Sequence, residues 1–361
     1  MIEARLMDGS WRRAAFERLD QLTKPRGSLG RLEALAAEIC EIQETLQPEL
    51  DPACLLLFAA DHGLANDGVS AYPRAVTAQM VLNFLRGGAA ANVLSAQTGC
   101  SLRIIDVGVD ADFDAHPQLM QAKVARGTAS ILRADAMSAE QLHQAMAAGR
   151  AAAQHTLDAG HRVVLFGEMG IGNTAISSLL MSELTALPLA ACVGPGTGLD
   201  PAGVARKLAM LERVRERHID ATRHGDQPTH TLALLQRYGG FEIAALASAI
   251  STVAASKSVV LIDGFAVTVA ALLAERLQPG TLGCCIVSHC SAEPAHRLLL
   301  DYLRIEPLLS LGLRLGEGSG ALLALPLLRS SVALFRGMAT FGSAGVSTAS
   351  PSINARQSTD E

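Results

Sequence analysis

The sequence predicts an α/β protein built on a parallel sheet with helices on both faces, joined to a smaller helical domain. Three observations carry that expectation. Short apolar runs alternate with alanine-rich segments, which is how buried parallel strands and their crossover helices read. Hydrophobic residues make up 49% of the 361-residue chain but aromatics only 4%, so the core is aliphatic. Glycines and charged residues collect just after the apolar runs, where open parallel sheets bind ligands.

The expected strands are residues 54–60, 103–109, 162–166, 190–193, 259–262 and 284–288. Helices are expected over 139–159, 201–218 and 242–256, where alanine-rich composition favours them. Residues 1–50 and 298–347 lack clear strand patterns and are expected to form one small helical domain from both chain ends, beside a large domain over 51–297. Residues 348–361, rich in Ser, Thr, Asn and Gln, read as a disordered tail.

Charge and composition remove several classes of function. The net charge is −5 and no long basic run occurs, so nucleic acid is not an expected partner. The first twenty residues mix acids and bases without an apolar core, unlike a signal peptide. The longest apolar stretches are interrupted before the roughly 20 residues a membrane span needs. Seven cysteines, odd in number and without a CxxC pair, read as reduced core thiols of a cytoplasmic protein. Cys284, Cys285, His289 and Cys290 lack a second ligand pair at tetrahedral-site spacing, so no metal is expected there.

Two glycine loops carry binding chemistry. In VVLFGEMGIGNTAISS, Gly167, Gly170 and Gly172 allow a tight strand-to-helix turn, with Asn173 or Thr174 as helix cap. Free amides at a helix start attract anions, so this loop is a candidate phosphate site. No Lys-Ser/Thr follows its last glycine, which separates it from a nucleotide-triphosphate P-loop. In VGPGTGLDP, Gly194, Gly196, Thr197 and Gly198 precede Asp200, a cap for a helix that opens on Pro201. Lys207 lies about two turns into that helix, within reach of a phosphate or free in solvent. In LGEGSGALLALPLL, Glu317 stands between Gly316 and Gly318 beside an aliphatic run. It is either a solvated loop residue or a placed acid or base. Asp61, His62, Asp263, His289 and Glu293 also follow apolar runs, as site lining or as turn braces.

FAADHGLANDGVSAYPRAVTAQMVLNFLRGGAAANVLS, GEMGIGNTAISS, VGPGTGLD, SHCSAEPAHR and GLRLGEGSGALLALPLL resemble the signatures of the nicotinate-nucleotide–dimethylbenzimidazole phosphoribosyltransferases. KPRGSLGRLE and FGSAGVS fit as well, so the resemblance runs in order from about residue 20 to 347. It implies a Rossmann-like sheet with a small helical domain, a homodimer, and no metal or organic cofactor. It implies the reaction of nicotinate mononucleotide with 5,6-dimethylbenzimidazole to give α-ribazole 5′-phosphate and nicotinate, in assembly of the cobalamin lower ligand. By the same resemblance Glu317 is the general base. Ser70 and Gln79 lie on the benzimidazole side, and Glu168 and Lys207 are binding residues. The expected substrate-binding set also takes in Gly170, Gly172, Asn173, Gly196, Thr197, Gly198, Asp263, Glu293 and Leu315. A benzimidazole nitrogen attacking C1′ leaves an acidic proton on the ring, so one carboxylate base meets the chemical need. The competing readings are a kinase or NTPase using the glycine loops, and a non-catalytic nucleotide-binding protein on the same fold.

Overall fold

The computed structural model describes residues 9–217 and 227–347. The described chain divides into two compact units, one over Glu49–Pro326 and one made of 9–48 with 327–347. The second crossing between them falls after Pro326, where the sequence suggests 298. Residues 298–326 belong to the larger unit because they complete the carboxyl edge of its sheet.

The larger unit holds six parallel strands: β1 (Ala53–Ala60), β2 (Ser101–Gly108), β3 (Leu119–Gln121), β4 (Val163–Met169), β5 (Val259–Ile262) and β6 (Cys285–Val287). Their order is β3-β2-β1-β4-β5-β6. The chain winds outward one way from β1 and the other way from β4, which leaves a crevice between their carboxyl ends. Register is continuous across the centre, with Leu56 beside Phe166, Phe166 beside Ile262 and Ile262 beside Val287. Strand alternation sorts the two faces. Cys54, Leu56, Phe58 and Ala60 join the main aliphatic core, while Leu55 points to the other face and abuts Gly318.

Two strand expectations change. The run at 190–193 is not a strand: residues 190–192 lie in a short helix and Val193 follows it, because Pro188 starts a helical turn and four apolar residues do not define a period. The loop 194–200 therefore leaves a helix. The three-residue edge strand β3 has too little sequence to announce itself.

The smaller unit contains α1 (Ser10–Gln21) and α2 (Arg31–Gln43). The larger adds α3 (Val76–Leu85), α4 (Ala90–Thr98), α5 (Ala139–Asp158), α6 (Asn173–Thr185), α7 (Leu189–Cys192), α8 (Pro201–Glu216), α9 (Pro228–Tyr238), α10 (Phe241–Ala255), α11 (Phe265–Leu277) and α12 (Pro294–Leu303). The chain then passes through α13 (Ser319–Gly337) to α14 (Phe341–Ala344). Caps follow the sequence: Ser138 and Gln141 close a capping box on α5, and Asp200 accepts from the Gly203 N–H at 2.7 Å ahead of Pro201. The expected helix over 201–218 ends at Glu216, and His218 is outside the described residues, as is the expected tail 348–361.

In the smaller unit Leu19, Leu22, Ala36, Cys40 and Phe335 share a core. There the ends of KPRGSLGRLE meet in a buried Lys24–Glu33 ion pair of 2.8 Å, so this motif is a structural clamp. At 19 residues α13 has the length and hydropathy to cross a membrane. Leu322, Leu325 and Leu328 are nevertheless fully buried in the protein, as in a core helix, and Pro326 and Arg329 interrupt it.

Candidate active site

A cleft opens at the carboxyl ends of β4 and β5. Glu168, Gly170, Asn173, Gly196, Thr197, His289, Glu293, Leu315 and Gly316 line it. Two features of the fold bring them there. Sheet order places the end of β4 beside the chain reversal at β1. The carbonyls of Leu309 and Leu313 accept from the N–H groups of Cys290 and Ala292 at 2.8 Å each, which lays 309–313 along the exit of β6 and delivers Arg314, Leu315 and Gly316 to the cleft.

Glu317 lies at the base of that segment, 5% exposed. Gly316, Glu317 and Gly318 have φ of 81°, 61° and 76°, three successive left-handed residues. Glycine adopts that conformation freely, whereas a glutamate pays of order 1–3 kcal/mol and persists only where its surroundings fix it. Its Oε2 accepts from the Ala91 N–H at the start of α4, at 3.4 Å. Burial pushes the Glu317 carboxyl above its ordinary value, with the Ala91 N–H acting the other way. A carboxylate raised in this manner is better matched to proton abstraction near neutrality.

Glu168, on β4, is partly buried and accepts a short hydrogen bond from the Asn173 side chain. Burial, then the charges of Asp263 and Glu242, push its pKa to about 8, so near neutrality it holds a proton. Asn173 thus does not cap α6, whose start at Gly172 has no side-chain cap, while the Asn173 and Ala175 N–H groups turn back to the Gly170 and Gly172 carbonyls. Thr77 of α3 braces this loop by accepting from the Ile171 N–H at 3.1 Å.

The opposite wall is built around Lys207, 1% exposed. Its Nζ donates to the Gly194 carbonyl at 3.1 Å and the Thr174 hydroxyl at 3.3 Å. Burial draws its pKa down to about 8, opposed by Glu293. Burial likewise raises Glu293, which Lys207, the Gly196 N–H and Arg314 offset. Glu293 Oε1 is buried without a hydrogen-bond partner, an acceptor free for a hydroxyl. Gly196 and Gly198 take φ of 58° and 127° and present Thr197 to the cleft, where its hydroxyl lies 3.4 Å from that of Ser70.

Other expected site residues are placed differently. Gln79 is exposed on α3, and a helical step of two residues sets it nearly opposite Thr77. Asp263 is fully buried with both oxygens taken by backbone amides: Gly318 N–H at 3.1 Å, Gly320 N–H at 2.8 Å and Ala321 N–H at 3.2 Å. Burial raises its pKa to about 7 against those amides. His62 and Glu242 form a buried pair of 2.6 Å, and Asp61 accepts from the Asp110 N–H at 2.8 Å, so both act as braces. His289 lines the cleft as a neutral imidazole, its pKa lowered by burial to about 4. Among the described residues no cluster of three His, Cys, Asp or Glu suits a metal ion. Thr77, Thr174 and the Ala91 N–H were not legible as site partners. For Ala91 the one available signal is the Gly-Gly pair that opens its alanine-rich helix.

A glycine-loop cleft at the switch point of a parallel sheet, with a buried carboxylate at Glu317 and a buried lysine at Lys207 close behind its lining, fits an enzyme that acts on a phosphorylated ligand. A phosphoribosyltransferase family model matches residues 4–346. A nicotinate-nucleotide–dimethylbenzimidazole phosphoribosyltransferase from Cupriavidus necator is 51% identical over 92% of this chain and 94% of its own. One from Pseudomonas aeruginosa is 47% identical over 94% and 95%. A solved CobT structure from Thermus thermophilus superposes with a TM-score of 0.89 at 41% identity, covering 94% of this chain and 99% of that one. The chain belongs to the nicotinate-nucleotide–dimethylbenzimidazole phosphoribosyltransferase family.

Proposed function

We propose that the enzyme transfers the 5-phosphoribosyl group of nicotinate mononucleotide to 5,6-dimethylbenzimidazole, giving α-ribazole 5′-phosphate and nicotinate for the lower ligand of cobalamin. One observation carries the reading: Glu317 is a buried, conformationally constrained carboxylate next in sequence to the cleft residue Gly316, and Lys207 is hydrogen-bonded to the cleft residue Thr174. The pyridinium of the donor leaves as neutral nicotinate ring and needs no acid. The attacking ring nitrogen gains a bond to C1′ while the other nitrogen gives its proton to Glu317. Attack opposite the leaving group inverts C1′ from β to α.

The phosphate and ribose sit against the uncapped start of α6 and the 194–198 loop, with Lys207 supplying charge and Glu293 Oε1 accepting from a hydroxyl. Leu315, 57% exposed at the cleft edge, offers an apolar surface to a flat ring, with Ser70 nearby through Thr197. Protonated Glu168 serves as a donor or as a shield that keeps the second carboxyl neutral. The enzyme works in the cytoplasm as a homodimer, with the site lined mainly by one chain. A two-fold dimer is the commonest closed assembly.

Incubating the purified enzyme with nicotinate mononucleotide and dimethylbenzimidazole tests the reaction. Equimolar nicotinate and a product with the mass of α-ribazole phosphate are expected. Unchanged substrates, or turnover of ATP with Mg²⁺ in their place, contradict it. Light scattering at micromolar concentration tests the dimer, and a species of single-chain mass contradicts it.

A further inference from the structure

The strained glutamate needs something to hold it, and the structure shows what does. Asp263 follows β5, a strand flanked on both sides by others and so among the most rigid parts of the larger unit. Ser288 at the exit of β6 donates its N–H to the Ile262 carbonyl at 3.0 Å, which fixes the chain just before the aspartate. The aspartate side chain spans 55 residues of sequence to reach Gly318 N–H, and two more of its hydrogen bonds fall on Gly320 and Ala321. Gly318 N–H belongs to the peptide that Glu317 itself begins, so this bond sets the rotation of that peptide. The other two fasten the first turn of α13, where helix amides lack internal partners and accept an acid readily. The turn also lies so close to β4 that a Cβ on Gly167 would be 2.6 Å from the Gly318 nitrogen.

We infer that Asp263 is a positioning residue for the proposed base: it touches no substrate and fixes the left-handed turn that aims Glu317 at the acceptor. The inference rests on the reading of Glu317 as base. Asp263 is 0% exposed and does not line the cleft, so a ribose contact has no free oxygen to use. Without this three-point hold, Glu317 has an incentive to leave its strained backbone conformation, and the carboxylate would swing away from the attacking nitrogen.

Asp263→Asn keeps the size and one acceptor oxygen but turns an NH₂ group toward an N–H. Misplacement of a reacting group by about 1 Å costs on the order of 10²-fold, so kcat should fall by roughly 10- to 100-fold with KM for nicotinate mononucleotide changed little. The decisive arm is a double-mutant cycle. In a Glu317→Gln background, Asp263→Asn should change the residual rate by less than about 3-fold, because there is no base left to aim. Amide exchange at Gly318, Gly320 and Ala321 should accelerate in Asp263→Asn. An equal rate loss in both backgrounds, full kcat in Asp263→Asn, or unchanged exchange at those amides overturns the inference. If Glu317→Gln itself keeps full activity, the base reading fails instead, and the exchange measurement alone decides whether Asp263 holds the turn. Should Asp263→Asn not fold by circular dichroism, Asp263→Glu, which keeps the charge but displaces it by one methylene, enters the same cycle.

Discussion

The two walls of the cleft handle charge in opposite ways. On one, Glu168 at the cleft, with Glu317 and Asp263 buried behind it, is partnered by an asparagine and the other two by backbone amides, and burial raises the pKa of each. On the other, a buried lysine sits beside a buried glutamate and each stabilises the other's charge. In the proposed reaction the first wall takes or holds a proton and the second meets the phosphorylated ligand. Under the proposed reaction, the choice of partner would separate proton transfer from anion binding: amides on one side, a neighbouring opposite charge on the other.

The largest expected effect breaks the acid wall. Glu317→Gln should fold normally and lose roughly 10²–10⁴ in kcat, with KM for nicotinate mononucleotide nearly unchanged. Steady-state kinetics with each substrate varied checks the split. The next breaks the other wall. Lys207→Met removes the stronger of two cationic neighbours of buried Glu293, leaving Arg314, and truncating one partner of a buried charge pair costs about 2–5 kcal/mol. Some of that appears as lower stability and some as a KM for nicotinate mononucleotide raised by roughly 10- to 100-fold, while half-saturation by dimethylbenzimidazole stays put. Equal weakening of both substrates in initial-rate measurements would show that the walls are not divided as described.

A smaller effect sharpens the acid wall's geometry. A Cβ on Gly320 would stand 1.9 Å from His289 Nδ1, in a site where the ring is buried. Gly320→Ala should therefore lower stability by about 1–3 kcal/mol, read as a reduced denaturant midpoint. The smallest concerns pH. The Glu168 pKa is about 8 in the folded chain against an ordinary 4.5, so between those values the folded state keeps a proton the unfolded state has lost. Raising pH through that window removes the proton at the expense of folding, so stability falls from pH 5 to pH 8. Melting temperatures across that range should fall less steeply in Glu168→Gln than in wild type. Parallel curves would mean Glu168 is ionised throughout.

Much of this was legible in the sequence where chemistry is local. Continuous apolar runs marked β1, β4 and β5, Asp200-Pro201 marked the start of α8, and glycines on both sides of Glu317 marked an unusual backbone. What escaped depends on contacts far apart in sequence. Asp263 looked like a site-facing acid at a strand end, yet its oxygens are spent on residues 318–321, a pairing no spacing rule reveals. Asn173 suited a cap by type, but Glu168, five residues earlier, claims its side chain. Ala190 and its neighbours read as a strand because four apolar residues fit either period, and only the turn at Pro188 decides.

In the proposed reaction Glu317 removes the proton from the attacking base. The pH dependence of kcat/KM for dimethylbenzimidazole, measured in parallel for wild type and Glu317→Gln, tests it most directly. Wild type should show a limb that rises with pH through a pKa above the ordinary 4.5 of a glutamate, and the variant should lack that limb while keeping any contribution from the substrate's own titration. The same rising limb in both proteins would contradict the claim and move the proton to another acceptor.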